Sequence, residues 1–352
     1  MTRVVLTLWL FLLSAAIPAG RLVTTINGDE IPVTVHAADG GRLILWLSSE
    51  FGANRRRTAL AEALAANGIE VWAPDLHAAW FLPAGRYSLN DVDPATIAAL
   101  ITAVIRTSDK DIFVMAEGRT TALALAGVRQ WQQADNDTGR LRGLLTFSPK
   151  LYVRTPQGGE TAEYLPVVAA SNLPIYLLQP EDSAAVWRLG DVVRELEKGG
   201  ATVFVHRLHG VSDGFHTRPE HTPTEQALTA RLPVMLSRAM GLLDAIGGTP
   251  PQAAPLTDAP RGPERPAGSA LLRPYAERRR APALRLAVLG SGTLDLADLR
   301  GRVVLVNFWA TWCPPCVEEI PSLQRLHQRL HAQGLEILAV DVGESAETLR
   351  AF

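Results

Sequence analysis

Cysteine is almost absent from this chain, which has two cysteines among 352 residues. No structural disulfide can therefore compete with that pair. An excess of charge of one sign is also missing, since the formal net charge is −2. This excludes the strongly basic surface that is typical of nucleic-acid-binding proteins. The hydrophobic content of 47% and charged content of 20% indicate a globular protein, and the length allows two domains.

Long hydrophobic runs are equally scarce, and the one at the N-terminus predicts export. Residues 4–13 are apolar apart from Thr7, follow Arg3, and precede the small residues 14–16. We predict a signal peptide over residues 1–20, cleaved after about residue 16, and a periplasmic or otherwise exported protein. The alternatives are an uncleaved signal that tethers the protein to the membrane, or a buried first strand. No cysteine lies nearby, which excludes a lipoprotein anchor.

The two cysteines lie between a predicted strand and a predicted helix. Residues 303–308 are mostly apolar or β-branched, which suits a buried strand. Apolar residues then recur at spacings of three and four from Val317 to Leu330. Cys313 thus falls at the helix N-terminus, where free N–H groups and the helix dipole favour a thiolate. Since the thiolate is the species that attacks disulfides, and Cys316 is one turn further on, we predict a redox site.

Metal binding is the alternative explanation for a Cys-x-x-Cys pair. Zinc would need two more ligands, and the chain has no other cysteine. His327 and His331 are four residues apart, but they lie beyond the site on the helix, where a solvated face is the simpler interpretation. We therefore expect neither a metal nor a cofactor.

The motif NFWATWCPPC over residues 307–316 carries a family resemblance. Together with Glu319, Pro321 and the lead-in over residues 293–302, it resembles the TlpA/ResA-like thiol-disulfide oxidoreductases of the thioredoxin superfamily. The resemblance implies disulfide exchange with protein thiols and disulfides of the cell envelope. A membrane electron donor is a further candidate partner, and no nucleic acid is expected.

The residues around the cysteines have expected roles in this exchange. Cys313 attacks, and Cys316 resolves the mixed disulfide. Pro314 and Pro315 lack backbone N–H groups and stiffen the loop, so with Trp312 they tune the redox site. Glu319 has two interpretations, since it can relay a proton to Cys316 or serve the helix dipole.

Residues 283–352 correspond to only the N-terminal half of such a domain. The pattern predicts one βαβ unit with strands over 303–308 and 335–340, joined by a helix that ends at Gly334. Another helix begins after Ser345. Members of the family continue with a strand, a cis-proline, an antiparallel hairpin and a last helix. None of these follows in the 352 residues, so we expect weak redox activity from this chain.

Residues 21–247 alternate between predicted strands and predicted helices, which is typical of a mostly parallel α/β sheet. The predicted strands cover residues 33–36, 42–47, 69–72, 112–116, 141–147, 175–178 and 202–206. The predicted helices cover residues 58–67, 95–106, 120–129 and 185–198, with a last helix from Thr224. This order resembles the α/β-hydrolase fold. The chain is therefore predicted to be α/β throughout, with an α/β-hydrolase-like domain followed by an incomplete thioredoxin-like βαβ module.

The hydrolase resemblance lacks its nucleophile. The strand-turn-helix over residues 114–125 resembles a nucleophile elbow, but in the G-x-S-x-G alignment Gly118 stands where the serine would be. Asp182 follows a strand in the place of the family's acid, with Glu181 beside it. His209 and His216 follow the next strand in the place of its histidine.

Three other residues are candidate nucleophiles in this domain, namely Glu117, Thr120 and Ser212. A turn serine is usually bonded to its own backbone, so we expect a scaffold that does not catalyse. The alternatives to the oxidoreductase are a serine-type hydrolase and a ligand-binding protein with a vestigial redox module. Residues 248–282 are rich in Pro, Ala and Gly and predict an extended linker between the two domains.

Overall fold

A computed structural model describes residues 20–26, 28–134, 139–156, 161–218, 221–250, 252–256, 281–311 and 314–352. Nearly all of the predicted signal peptide, and residues 257–280 of the predicted linker, lie outside these ranges. Contacts divide the chain into two compact units, Met1–Ala267 and Gly268–Phe352. Within the described parts, no helix has the length and apolarity needed to span a membrane.

The first unit contains an eight-stranded sheet with helices in the connections between its strands. The strands are β1 (Gly20–Ile26), β2 (Asp29–His36), β3 (Arg42–Trp46), β4 (Ile69–Pro74), β5 (Asp111–Glu117), β6 (Leu141–Phe147), β7 (Ile175–Asp182) and β8 (Val203–Ser212). The helices are α1 (Arg55–Ala66), α2 (Leu76–Ala79), α3 (Pro94–Thr107), α4 (Thr120–Gln133), α5 (Pro166–Ala169), α6 (Leu189–Glu197) and α7 (Pro223–Ala245).

The strand order β1-β2-β4-β3-β5-β6-β7-β8 is that of the α/β-hydrolase fold. Strands β3 to β8 are parallel, and β2 is antiparallel to both of its neighbours. Both faces of the sheet are covered, because Leu45 belongs to one buried cluster while its neighbours Ile44 and Trp46 belong to the other. The prediction of a mostly parallel α/β sheet is confirmed, and apolar runs such as β3 reflect burial on both faces.

Several elements differ from their predicted bounds, among them β2, β7 and α4, which are longer than predicted. Two further differences concern β8 and α6. Strand β8 continues to Ser212, because its pairing with β7 resumes after a bulge near Gly210, which has φ +67°. His209 therefore lies within the strand, which corrects its expected position after it. The helix predicted over residues 185–198 is a 3₁₀ turn, Ala184–Arg188, followed by α6.

The predicted linker begins with a stretch that packs on the first unit, residues 249–256, here called the strap. Four hydrogen bonds of its described residues join Thr249 N to Leu141 O at 2.9 Å, Gln132 Nε2 to Pro250 O at 2.7 Å, Asn172 Nδ2 to Gln252 O at 2.7 Å, and Arg129 to Ala254 O. Ala254 is buried. The first unit thus includes residues beyond the end of α7.

The second unit is built around a parallel βαβ arrangement. Its elements are β9 (Arg285–Ala287), β10 (Thr293–Asp295), β11 (Val303–Trp309), α8 (Pro314–Leu330), β12 (Leu335–Asp341) and α9 (Ala346–Ala351). Strands β11 and β12 pair with Val303 opposite Leu335. Gly334 has φ +97° after a 3₁₀ turn, and Ser345 Oγ accepts the N–H of Thr348 at 3.1 Å. The predicted βαβ unit and its capping residues are confirmed.

Candidate functional site

The predicted redox residues surround the connection from β11 to α8. Helix α8 begins at Pro314, so Cys316 lies in its first turn. Cys316 is half-buried, and its sulfur belongs to a disulfide. Cys313 and Trp312 lie outside the described residues. Cys316 therefore lies at the positive end of the helix dipole.

Thr311 lies in this connection, shortly after the end of β11. It is hydrogen-bonded to a carboxylate that follows the end of β12. The backbone N–H and the hydroxyl of Thr311 donate to the two oxygens of Glu344, at 2.7 and 2.5 Å. Asp341 in turn accepts the N–H of Glu344 at 2.7 Å. Glu319, for which a proton relay and an interaction with the helix dipole were both expected, is exposed. Glu344 thus fixes Thr311, two residues before Cys313, and no local pattern in the sequence marked Glu344 for this role.

A group of possible metal ligands lies at the far end of α8. Ligand atoms of His327, His331 and Glu336 all lie within 4.8 Å of one another. The Nη2 atom of Arg302 is 3.1 Å from Glu336 Oε2 and 3.2 Å from His331 Nδ1. A guanidinium cation thus already neutralises Glu336 there, and the group forms an ion-pair cluster.

Gly118 adopts the turn that a nucleophile elbow requires. Its φ is +52°, its N–H donates to Phe147 O, and its carbonyl accepts from Lys150 N. A Cβ at this position would lie 3.0 and 3.2 Å from the carboxylate oxygens of Glu50. The elbow geometry is present, but a carboxylate borders the space that a nucleophile side chain would need.

His216 lies at the elbow beside an acid. Its Nε2 is 3.4 Å from Glu117 Oε2, and its ring packs on Phe147 with centroids 4.4 Å apart. Glu117 also accepts from Trp46 Nε1 at 3.1 Å. Burial alone would raise the pKa of Glu117, but His216, the Arg57 charge and the Trp46 hydrogen bond outweigh it and lower that pKa. Burial lowers the pKa of Arg57 to about 10.

The other residues that the hydrolase resemblance singled out, His209, Asp182 and Ser212, have contacts of their own. His209 is exposed, and its Nδ1 contacts Glu181 Oε2 at 2.5 Å. Glu181 and Asp182 are the last two residues of β7, which corrects their expected position after the strand, and Asp182 pairs with Ser212 of β8. Ser212 Oγ donates to Glu225 at 3.0 Å, so the serine suggested as a nucleophile near His209 is bonded to an acid instead. These contacts place Gly118 and His216 at the elbow.

A cavity of about 220 Å³ opens next to the elbow. Its polar lining includes Glu50, Arg119 and Lys150, which the sequence analysis did not identify as a site, while the rest of the wall is mostly apolar. These residues follow the carboxyl ends of β3, β5 and β6, where ligands bind in parallel α/β sheets. Their shared position after the carboxyl ends of these strands was the feature of the sequence that could have identified them as a site. Burial raises the pKa of Glu50.

Comparison with known proteins identifies the class of the second unit. Residues 278–352 match the AhpC/TSA family, and this part of the chain is a thioredoxin-like domain. It is 40% identical over 72 residues to the thiol-disulfide oxidoreductase ResA of Bacillus subtilis, which covers 20% of this chain and 40% of that protein. With ResA of Geobacillus kaustophilus the identity is 43% over 72 residues, covering 20% and 41%. The chain thus spans about two-fifths of the length of the curated relatives it matches.

The first unit resembles a solved hydrolase structure. Esterase Est22 aligns with a TM-score of 0.50 and 12% sequence identity, covering 65% of this chain and 80% of that one. At this identity the likeness concerns the fold alone. It agrees with the strand order, so the first unit has an α/β-hydrolase-like fold and the predicted fold class is confirmed.

Proposed function

We propose that this protein is an exported thiol-disulfide oxidoreductase of the TlpA/ResA-like type, with Cys313 and Cys316 as its working pair. The observation that carries the proposal is the parallel βαβ unit whose helix starts at the Cys-Pro-Pro-Cys motif, with Cys316 in the first helical turn. The helix dipole and unpaired N–H groups of such a start stabilise a thiolate. Similarity to ResA over 72 residues supports the same chemistry.

In the proposed reaction, the Cys313 thiolate attacks one sulfur of a partner protein's disulfide. The partner's S–S bond breaks, a mixed disulfide forms, and the leaving sulfur takes a proton from solvent. The Cys316 thiolate then attacks the Cys313 sulfur and releases the second partner thiol. The Cys313–Cys316 pair is oxidised by two electrons and the partner is reduced by two. A membrane electron donor, or another protein dithiol, would reduce the pair again.

The neighbouring residues would support this exchange. Pro314 and Pro315 cannot donate backbone hydrogen bonds, so they leave the loop stiff without adding donors. Trp312 would offer apolar surface to a partner, and Glu319 would relay a proton to Cys316. Glu344 would hold the entry to the motif through its two bonds to Thr311. The partners would be protein thiols and disulfides of the cell envelope.

Export is the part of the proposal that rests on residues 1–20. A charged start, an apolar core and small residues at positions 14–16 are the features of a signal peptide. N-terminal sequencing of envelope material should find a chain that starts near residue 17. Envelope material that begins at Met1 would contradict cleavage, whereas exclusive recovery from the cytoplasm would contradict export.

Trapping of mixed disulfides tests the redox proposal. Cys316→Ser should accumulate a mixed disulfide with an oxidised probe such as insulin, visible on a non-reducing gel, because the resolving thiol is gone. Cys313→Ser is the matched control and should accumulate none. In the reduced protein, alkylation of Cys313 should reach half its maximum well below the ordinary thiol pKa of about 8.5. Equal trapping by both variants, or ordinary titration of Cys313, would contradict the assigned roles.

A further inference from the structure

The cavity beside the elbow has the size of a small-molecule site. Its volume of about 220 Å³ would hold about seven waters, at about 30 Å³ each. Leu89, Val92, Leu123 and Leu165 contribute to its apolar wall. Such a wall favours an organic molecule over an inorganic ion.

One end of this cavity presents a buried cation, Arg119, whose charge also acts on the carboxyl group of Glu50 in the same wall. Arg119 lines the cavity and is only 8% exposed. Its guanidinium lies over the rings of Tyr87 and Tyr152, 4.9 and 5.4 Å from their centroids, and donates to Thr155 Oγ1 at 3.1 Å. Among the residues that the structure describes, Arg119 forms no ion pair, and its buried Nε has no hydrogen-bond partner. A buried charge in this state is costly, so an anion entering the cavity would be favoured.

A second unpartnered group lines the same cavity. Thr120 is 2% exposed, and in the described parts of the chain its Oγ1 makes no hydrogen bond. It is the first residue of α4, a 14-residue helix whose N-cap makes no side-chain hydrogen bond within those parts. The helix dipole therefore adds to the attraction for an anion at this end.

The other charged residues around the cavity do not remove its attraction for an anion. Glu50 is the acid among the lining residues, whereas Arg86, Arg119 and Lys150 are all basic. Lys150 Nζ lies 3.6 Å from Asp213 and is partly neutralised by it. The unpaired Arg119 remains the strongest attraction for a ligand. A guanidinium group binds a carboxylate through two parallel hydrogen bonds, in a bidentate geometry. A carboxylate is therefore the head group that matches Arg119.

We propose that the first unit binds a small organic acid, with its carboxylate on Arg119 and Thr120 and its apolar body against Leu123 and Leu165. Gly118 contributes no nucleophile, and Thr120 has the role of a hydrogen-bond donor to the ligand. The proposal goes beyond the redox function and does not depend on it. Binding can be measured whatever the state of the cysteines.

Calorimetric titration of the full chain with hexanoate, hexan-1-ol and inorganic phosphate tests the inference. Hexanoate should bind saturably at one site, whereas hexan-1-ol should bind at least about tenfold more weakly because it lacks the charge. Phosphate should fail to displace hexanoate, since it has no apolar body. Equal binding of the acid and the alcohol, displacement by phosphate, or no saturable hexanoate binding would each overturn the proposal.

Variants then locate the site. Arg119→Gln should weaken hexanoate binding by about ten- to hundredfold, while Arg55→Gln, a change at an exposed arginine, should leave it unchanged. Thr120→Val keeps the side-chain shape, removes the hydroxyl and should weaken binding severalfold. A thermal unfolding scan will show whether Arg119→Gln folds. If it does not fold, Thr120→Val alone tests the location of the site. Unchanged affinity in a folded Arg119→Gln protein, or in Thr120→Val when the arginine variant fails to fold, would overturn the assignment.

Discussion

The two units use the same kinds of strand-forming residues and bury them to different extents. In the first unit, Leu43, Ile44 and Leu45 of β3 are fully buried, with helices and neighbouring strands around them. In the second unit, Val303 and Phe308 of β11 are 70% and 60% exposed. Of its described residues, Ala310 alone is buried. An apolar run therefore shows that a strand can be buried. The number of elements packed on the strand decides how much of its surface is buried.

Large-to-small substitutions in the central strands should give the largest difference between the units. Leu45→Ala should lower the free energy of unfolding of the first unit by about 2–5 kcal/mol, because it leaves a cavity in a closed core. Leu305→Ala in β11, which is half-buried, should cost only about 1 kcal/mol. Denaturant unfolding followed by tryptophan fluorescence measures both losses. Equal losses would mean that β11 is as tightly packed as β3.

Buried carboxylates offer a second comparison. Glu225 accepts from Ser212 N, Ser212 Oγ, Thr222 N and Arg218, and it completes a capping box at the start of α7. Burial alone would raise its pKa, but these hydrogen bonds lower it below the ordinary 4.5. Glu225→Gln should therefore cost about 1.5–3 kcal/mol of stability at neutral pH.

The pH dependence of this loss has a definite sign. A lowered folded-state pKa gives stability that is present above pH 4.5 and disappears as the pH falls through the lower folded value. Urea unfolding of Glu225→Gln should thus approach wild type below pH 4.5. Glu344→Gln, which removes a half-buried carboxylate with two bonds to Thr311, should cost less at neutral pH. A cost for Glu225→Gln that stays constant with pH would show that the carboxylate charge is not the source of the stability.

The smallest expected effect concerns hydrolase chemistry in the first unit. A fluorophosphonate probe should not label the wild-type protein, because Gly118 has no side chain to attack it. Gly118→Ser should also remain unlabelled, since its Cβ would meet Glu50 and His216 is engaged with Glu117. The variant should lose about 1 kcal/mol of stability, because a side chain at φ +52° is strained. Labelling that His216→Ala abolishes would revive the hydrolase alternative.

Local patterns in the sequence predicted much of this fold. Gly334 ends the helical segment that follows α8, and Ser345 caps the start of α9, each through its own backbone or side-chain preference. Neighbours in sequence were therefore enough to place both. Gly118 was placed at the elbow for the same reason, since the strand-turn-helix is continuous in sequence. The apolar runs of β3 and β6 likewise marked buried strands before any partner was known.

The chemistry of the cavity depended on contacts that no local pattern contains. Glu50 and Gly118 are far apart in sequence and meet because β3 and β5 are adjacent in the sheet. The position of His209 was wrong because the extension of β8 depends on pairing with β7 beyond a bulge. Arg119 directly precedes the predicted helix, but only the full set of described neighbours shows that it forms no ion pair with any of them.

The strap has a mechanical consequence. A pull on the chain beyond residue 256 would not act first on the last turn of α7. It would load the hydrogen bonds that Gln132 and Asn172 make to residues 250 and 252, and through Gln132 it would reach α4. Helix α4 is also the helix whose first residue, Thr120, lines the cavity. Tension in the connection between the units would therefore be transmitted to the element that forms one wall of the proposed ligand site.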